Sequence, residues 1–139
     1  ILNRVELQAR QDILMSEFIH LVKIQARILT RMASQKIYPA LADYQLILDQ
    51  LVSGGRVTSA NRRSDLNAQF MDRIDALTLD LENLTNEIIQ EESNEKICRD
   101  MVEILRPKMD ELVHLLEKVE LNTPYLVYPY PGEEDLVVQ

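Results

Sequence analysis

Apolar side chains recur along most of this chain at spacings of three and four, the period of a helix buried on one side. Leu14, Phe18, Leu21, Ile28 and Met32 share one stripe and predict a helix over about 4–36. Pro39 lacks an amide donor and crowds the turn before it, so a bend or a restart is expected there. Leu41, Tyr44, Leu48 and Leu51 carry the period onward to Ser53-Gly54-Gly55, which stops a helix over about 39–53. One kinked helix or two are both compatible with this pattern. A third helix, about 62–91, follows from Leu66, Phe70, Ile74, Leu77, Leu81, Leu84 and Ile88, with Thr58, Ser59, Asn61 and Ser64 as candidate caps.

Ser93-Asn94 offers a break before Ile97, Met101, Ile104, Leu112, Leu115 and Val119, which predict a last helix over about 95–120. Without that break one helix of unusual length would result, so an antiparallel hairpin of the last two helices is the expected arrangement. Pro107 should kink the final helix, because it cannot donate to the Glu103 carbonyl. Residues 121–139 change character, holding three of the five prolines and three of the five tyrosines. A ribbon reading Tyr125-Leu126-Val127-Tyr128-Pro129-Tyr130-Pro131 cannot continue a helix and is expected to lie extended against something. The predicted fold is all-α: residues 1–120 form a bundle of long antiparallel, proline-kinked helices, and 121–139 form an extended aromatic-proline tail docked on it or on a neighbouring domain.

Composition narrows the function. The chain has 139 residues, enough for one domain, and only three glycines and no tryptophan, which disfavours a β fold or a loop-built pocket. Its formal charge of -8 opposes general affinity for nucleic acid or anionic lipid. Cys98 is the only cysteine and cannot close an internal disulfide, and no apolar run approaches the ~20 residues of a membrane span. A cytoplasmic location is expected. The opening Ile1-Leu2-Asn3-Arg4 has no initiator methionine or signal pattern, and the expectation is a fragment of a longer chain.

Candidate chemistry is sparse. Glu17-Phe18-Ile19-His20 and Glu111-Leu112-Val113-His114 resemble half of a di-iron carboxylate site, but both histidines turn away from the apolar stripes and would ligate outward. No metal ligand is assigned. Cys98, between Ile97 and Arg99, reads as a partly buried, inert thiol. Arg56, Arg62 and Arg63 bracket a glycine turn without a Walker-type nest, and Glu87, Glu91, Glu92 and Glu95 read as a solvated acidic patch. No catalytic or cofactor-binding residue emerges.

Two stretches carry a family resemblance. Ile24-Gln25-Ala26-Arg27-Ile28-Leu29, then Ile37-Tyr38-Pro39-Ala40 and Tyr44-Gln45, resemble the start of the C-terminal helical region of type III glutamine synthetases. Tyr128, Pro129 and Pro131, followed by Asp135, Leu136, Val137 and Val138, resemble its closing motif, with Tyr128 where the family usually has tryptophan. Arg106 and Asp110-Glu111-Leu112 resemble the arginine and acidic-leucine pair of its last helix.

The resemblance implies a parent enzyme that ligates ammonia to glutamate with ATP and Mg or Mn. The catalytic residues and cofactor contacts would lie upstream, and none falls on these positions. It implies a structural, oligomer-supporting or regulatory role, with the upstream catalytic domain and homo-oligomer subunits as partners and no nucleic acid or membrane. Family-signature or docking residues are then Arg27, Pro39, Tyr44, Gln45, Arg106, Asp110, Tyr128, Pro129, Pro131 and Leu136. The rival reading is a free-standing coiled-coil interaction module that pairs through Leu77, Leu81, Leu84 and Ile88.

Overall fold

The computed structural model describes residues 3–124 and 127–130. Three helical runs fill most of them, and no strand occurs among the described residues. The first run joins α1 (Arg4–Arg31), a π turn (Met32–Ile37) and α2 (Tyr38–Gly54). The second is α3 (Ser59–Ile89). The third joins α4 (Asn94–Asp100), a second π turn (Met101–Leu105) and α5 (Arg106–Asn122).

Local chemistry sets the ends of these runs. Asn3 accepts the Glu6 amide through its side-chain oxygen at 2.8 Å, capping α1. Gly55, at φ 71°, closes α2 in the left-handed conformation, which costs glycine nothing. Ser93 accepts from the Lys96 amide, so the third run starts just past the Ser93-Asn94 junction. Thr58 precedes α3 without a side-chain cap bond.

Helical backbone continues through the approach to each proline, but it widens. The Tyr38 amide bonds to the Ala33 carbonyl and the Arg106 amide to the Met101 carbonyl, each five residues back, directly before Pro39 and Pro107. The reason lies in the burial pattern. Leu29, Ala33, Ile37 and Leu41 are all buried at successive steps of four, as are Ile97, Met101 and Leu105. In an α-helix each such step overshoots a full turn by about 40°, so three would carry the side chain about 120° off the core. A π turn takes up one extra residue and keeps the face aligned. The following proline suits that place, because its missing donor is one the widened turn does not use.

A single core joins the three runs. α3 packs against α1, α2, α5 and both π turns, and Val22, Ile37, Leu41, Ile74, Leu81, Met101, Leu105, Leu112 and Val119 are fully buried. Each such aliphatic side chain is worth roughly 1.5–3 kcal/mol of transfer free energy. Leu77, Leu81 and Ile88 are spent in this core and Leu84 packs at its edge, so the near-heptad seam of α3 is engaged within the chain.

The stripe expected on α1 is inward only in part: Phe18 and Met32 pack against the core, and the other three do not. Leu14, Leu21 and Ile28 are 64%, 52% and 61% exposed, while Val22, Ala26, Leu29, Thr30 and Ala33 face the core. Leu51 and Ile104 also point outward, with Leu105 taking the inward place expected of Ile104.

The tail departs from the extended ribbon over its described part. Past α5, the buried Thr123 hydroxyl donates to the Val119 carbonyl at 2.6 Å. The Val127 and Tyr128 amides then both donate to the Pro124 carbonyl, at 2.9 and 3.1 Å, which forms a tight turn. Tyr128 and Tyr130 meet edge to face at 6.4 Å and pack half-buried against the core.

Candidate functional site

Lys23, Ala26, Arg27, Thr30, Arg31 and Ser34 recur at helical spacing on one side of α1 and its π turn, so they form one wall. Glu82, Thr85, Asn86 and Ile89 do the same on α3. With Gln35 they line an open groove of about 320 Å³ between the two helices. Its polar character is selective. Thr30, Ser34 and Thr85 all donate their hydroxyls to carbonyls of their own helices, at 3.0, 2.7 and 2.7 Å. Lys23, Arg27, Arg31, Gln35 and Asn86 remain as donors toward the groove.

The electrostatics of the groove oppose those of the chain. Three cationic side chains face one carboxylate, Glu82, which leaves a local excess of two positive charges in a protein of formal charge -8. Among the described residues no ion pair involves Lys23, Arg27, Arg31 or Glu82. Such an arrangement can hold an anion. No nucleophile with an adjacent base and no paired carboxylates line it.

A second polar cluster ties α2 to α3. The buried Asn67 donates to the Leu41 carbonyl at 3.0 Å and to the Gln45 side-chain oxygen at 2.9 Å. Gln45 donates to Ser64 at 2.8 Å and to Asp49 at 2.9 Å, and the Ser64 hydroxyl donates to Asp49 at 3.1 Å. As numbers rise along α2 from Leu41 to Asp49, their partners on α3 fall from Asn67 to Ser64.

The residues expected as family-signature or docking positions do not converge. Arg27 lines the groove. Pro39 is exposed just past the first π turn, Tyr44 is buried, and Gln45 sits in the seam with α3. The Arg106 guanidinium lies 5.6 Å from the centre of the Phe18 ring, a cation–π contact between α5 and α1. Asp110 and Pro129 are exposed. Burial, with the nearby Glu120 charge and Tyr130, pushes the Tyr128 phenol up to about 12. Pro131 and Leu136 lie outside the described residues.

Lys23, Arg31 and Asn67 carry no motif of their own in the sequence. Lys23 and Arg31 flank Arg27 one turn to either side, a spacing of four that is visible in the sequence. Asn67 looks like any polar helix residue until its neighbours are known. Glu91, expected to be simply solvated, is half-buried in the turn between α3 and α4. The neighbouring Asp100 carboxyl, and after it burial, raise its carboxyl, against Lys96, which lies 3.8 Å away. Cys98 is partly buried, its thiol pushed up by that burial and placed 3.6 Å from the Met15 carbonyl.

His20 is exposed, and His114 is exposed beside Glu117 at 3.5 Å. Among the described residues no three histidine, cysteine or acidic side chains group closely enough to hold a metal ion, and no helix is long and apolar enough to cross a membrane.

No curated protein and no solved structure matches the chain. One family model does, over a stretch that coincides with the first helical run and ends on its glycine cap: residues 1–55 match the glutamine synthetase C-terminal domain.

Proposed function

We propose that this chain is a non-catalytic C-terminal helical domain of a glutamine synthetase of the type III kind, with a structural, oligomer-supporting role. The observation that carries the reading is the family match over residues 1–55, which spans one continuous run with an unpartnered apolar row. Leu7, Leu14, Leu21 and Ile28 recur every seven residues on α1 and are at least half exposed. Exposed apolar rows of that length mark contact surfaces. The falling register between α2 and α3 supports an antiparallel bundle behind that row. The π turns before Pro39 and Pro107 shape the outer runs, and the described part of the tail, Tyr128 and Tyr130, packs on the bundle.

In this reading the parent enzyme joins ammonia to glutamate with ATP and Mg or Mn in the cytoplasm, and works as a homo-oligomer. This region supplies none of that chemistry. In this reading the ion and the nucleotide belong to an upstream catalytic region. The row on α1 then docks on that region or on a neighbouring subunit.

The test uses the full-length parent. Leu14→Asp with Leu21→Asp should break the assembly into smaller species while helical content holds. An assembly of unchanged mass, or a native gene with no catalytic region ahead of Ile1, refutes the proposal. The same row favours one alternative, a free-standing module that self-associates through α1 in place of the engaged α3 seam. Concentration-dependent dimerisation of the chain alone, abolished by the same pair of substitutions, would select it.

A further inference from the structure

We propose that the groove between α1 and α3 is a binding site for a compact oligophosphate, of the pyrophosphate or tripolyphosphate type. This goes beyond the docking role, since none of the residues lining the groove belongs to the apolar row, although Ile28 of that row lies between Arg27 and Arg31. The assignment starts from charge. Lys23, Arg27 and Arg31 stand one turn apart on the same side of α1, so their charged ends line about 12 Å of helix. Three cations this close repel one another, and among the described residues no ion pair relieves them. A ligand with several negative charges at short spacing would relieve all three together. Successive guanidinium forks at Arg27 and Arg31 suit adjacent phosphoryl groups, which take two hydrogen bonds from each fork.

The lining also argues for a ligand that is polar throughout. No aromatic ring lines the groove, and its apolar contribution comes from Ala26 and Ile89. A nucleoside base would find no stacking surface, and the methylenes of a polycarboxylate would lie against amides and charges. Asn86 and Gln35 can donate to phosphoryl oxygens that point away from the cations. Glu82 opposes binding. Its place on the α3 wall limits affinity and keeps the groove from capturing every anion in solution.

Calorimetric titration of the full chain with sodium tripolyphosphate at fixed ionic strength tests the site. One-to-one saturable binding is expected, weakened at least tenfold in Arg27→Gln and in Arg31→Gln. Glu82→Gln should tighten it several-fold. Arg73→Gln removes an exposed arginine of α3 outside the groove and should leave affinity unchanged. Circular dichroism and unliganded melting should match across the four variants, and Glu82→Gln keeps the test open should either arginine variant misfold.

Several results overturn the proposal: no saturable binding, equal weakening by Arg73→Gln, or retention in an Arg27→Gln, Arg31→Gln double variant. Citrate binding as tightly as tripolyphosphate would refute the phosphate assignment, and a nucleoside triphosphate binding tenfold tighter would refute the free oligophosphate.

Discussion

The side-chain amide of Asn67 on α3 donates to the main-chain carbonyl of Leu41 on α2 across 3.0 Å, inside a seam where Asn67 is 3% exposed. Its second proton goes to Gln45, so the group is satisfied by two partners on one helix. Removing a buried donor strands its acceptors, and the cost exceeds that of losing an exposed bond. Asn67→Ala should therefore lower unfolding free energy in urea by about 2 kcal/mol. Gln45→Ala should cost less alone, and the pair should fall short of the sum, because both act in one network. Strict additivity would show that the seam is packing and not a network.

The π turns make a prediction for the prolines. The extra residue in each turn is demanded by the four-residue spacing of Leu29, Ala33, Ile37 and Leu41, and of Ile97, Met101 and Leu105, and not by the proline that follows. Pro39→Ala and Pro107→Ala should each leave stability within about 1 kcal/mol. The Tyr38 and Arg106 amides should stay protected from hydrogen exchange, bonded to Ala33 and Met101 as before. Loss of that protection would mean that proline itself holds the turn open.

Tyr128 should titrate apart from ordinary tyrosines. Its phenol is pushed up to about 12 by burial, with Glu120 and Tyr130 adding to the effect. The neutral form is the one the fold favours, so the contribution of the docked ring is intact below the usual tyrosine range near 10 and is lost as pH rises toward 12. Ultraviolet titration of tyrosinate should show a late step that is absent in Tyr128→Phe. A late step that survives this substitution would assign it elsewhere.

Glu91 predicts a second pH dependence, at the other end of the scale. Its carboxyl is raised by the neighbouring Asp100 carboxyl first, then by burial. A raised acid stabilises the fold while protonated, so stability at the α3–α4 turn should fall as pH climbs from the ordinary carboxylate range through the raised value. Asp100→Asn removes the repulsion and should flatten that decline. Melting curves across the acid-to-neutral range compare the two, and parallel profiles would exclude the pair as the cause.

Helix content was legible in the sequence because it rests on period, and glycine, proline and serine marked most ends. The Ser53-Gly54-Gly55 stop lies at the end of α2, and the inward faces of α3 and of most of α4 and α5 follow the apolar spacing. On α1 the reading chose the larger side chains of a helix with two candidate faces. Leu14, Leu21 and Ile28 outweigh Ala26, Thr30 and Ala33 in hydrophobicity, yet the buried face is the one that holds these small residues together with Val22 and Leu29. The π turns left a trace in the run of fours, read only as helix. The groove was half visible: the cationic spacing lies in the sequence, but Glu82 and Asn86 join it only through the fold. The Asn67 and Glu91 contacts had no such trace, because their partners depend on how the runs are packed.

The run from Arg4 to Gly54 has a hydrodynamic consequence. It counts 54 − 4 + 1 = 51 helical residues, about 75 Å of contour at about 1.5 Å each. A compact chain of 139 residues would have a radius of gyration of about 14 Å. Residues 4–14 of that run are all exposed, so its first three turns project past the packed helices. Friction on such a body exceeds that on a sphere of equal mass, and a monomer should elute ahead of globular standards as though it were a larger species. Only a shape-independent mass, from light scattering or sedimentation equilibrium, can separate an elongated single chain from a pair.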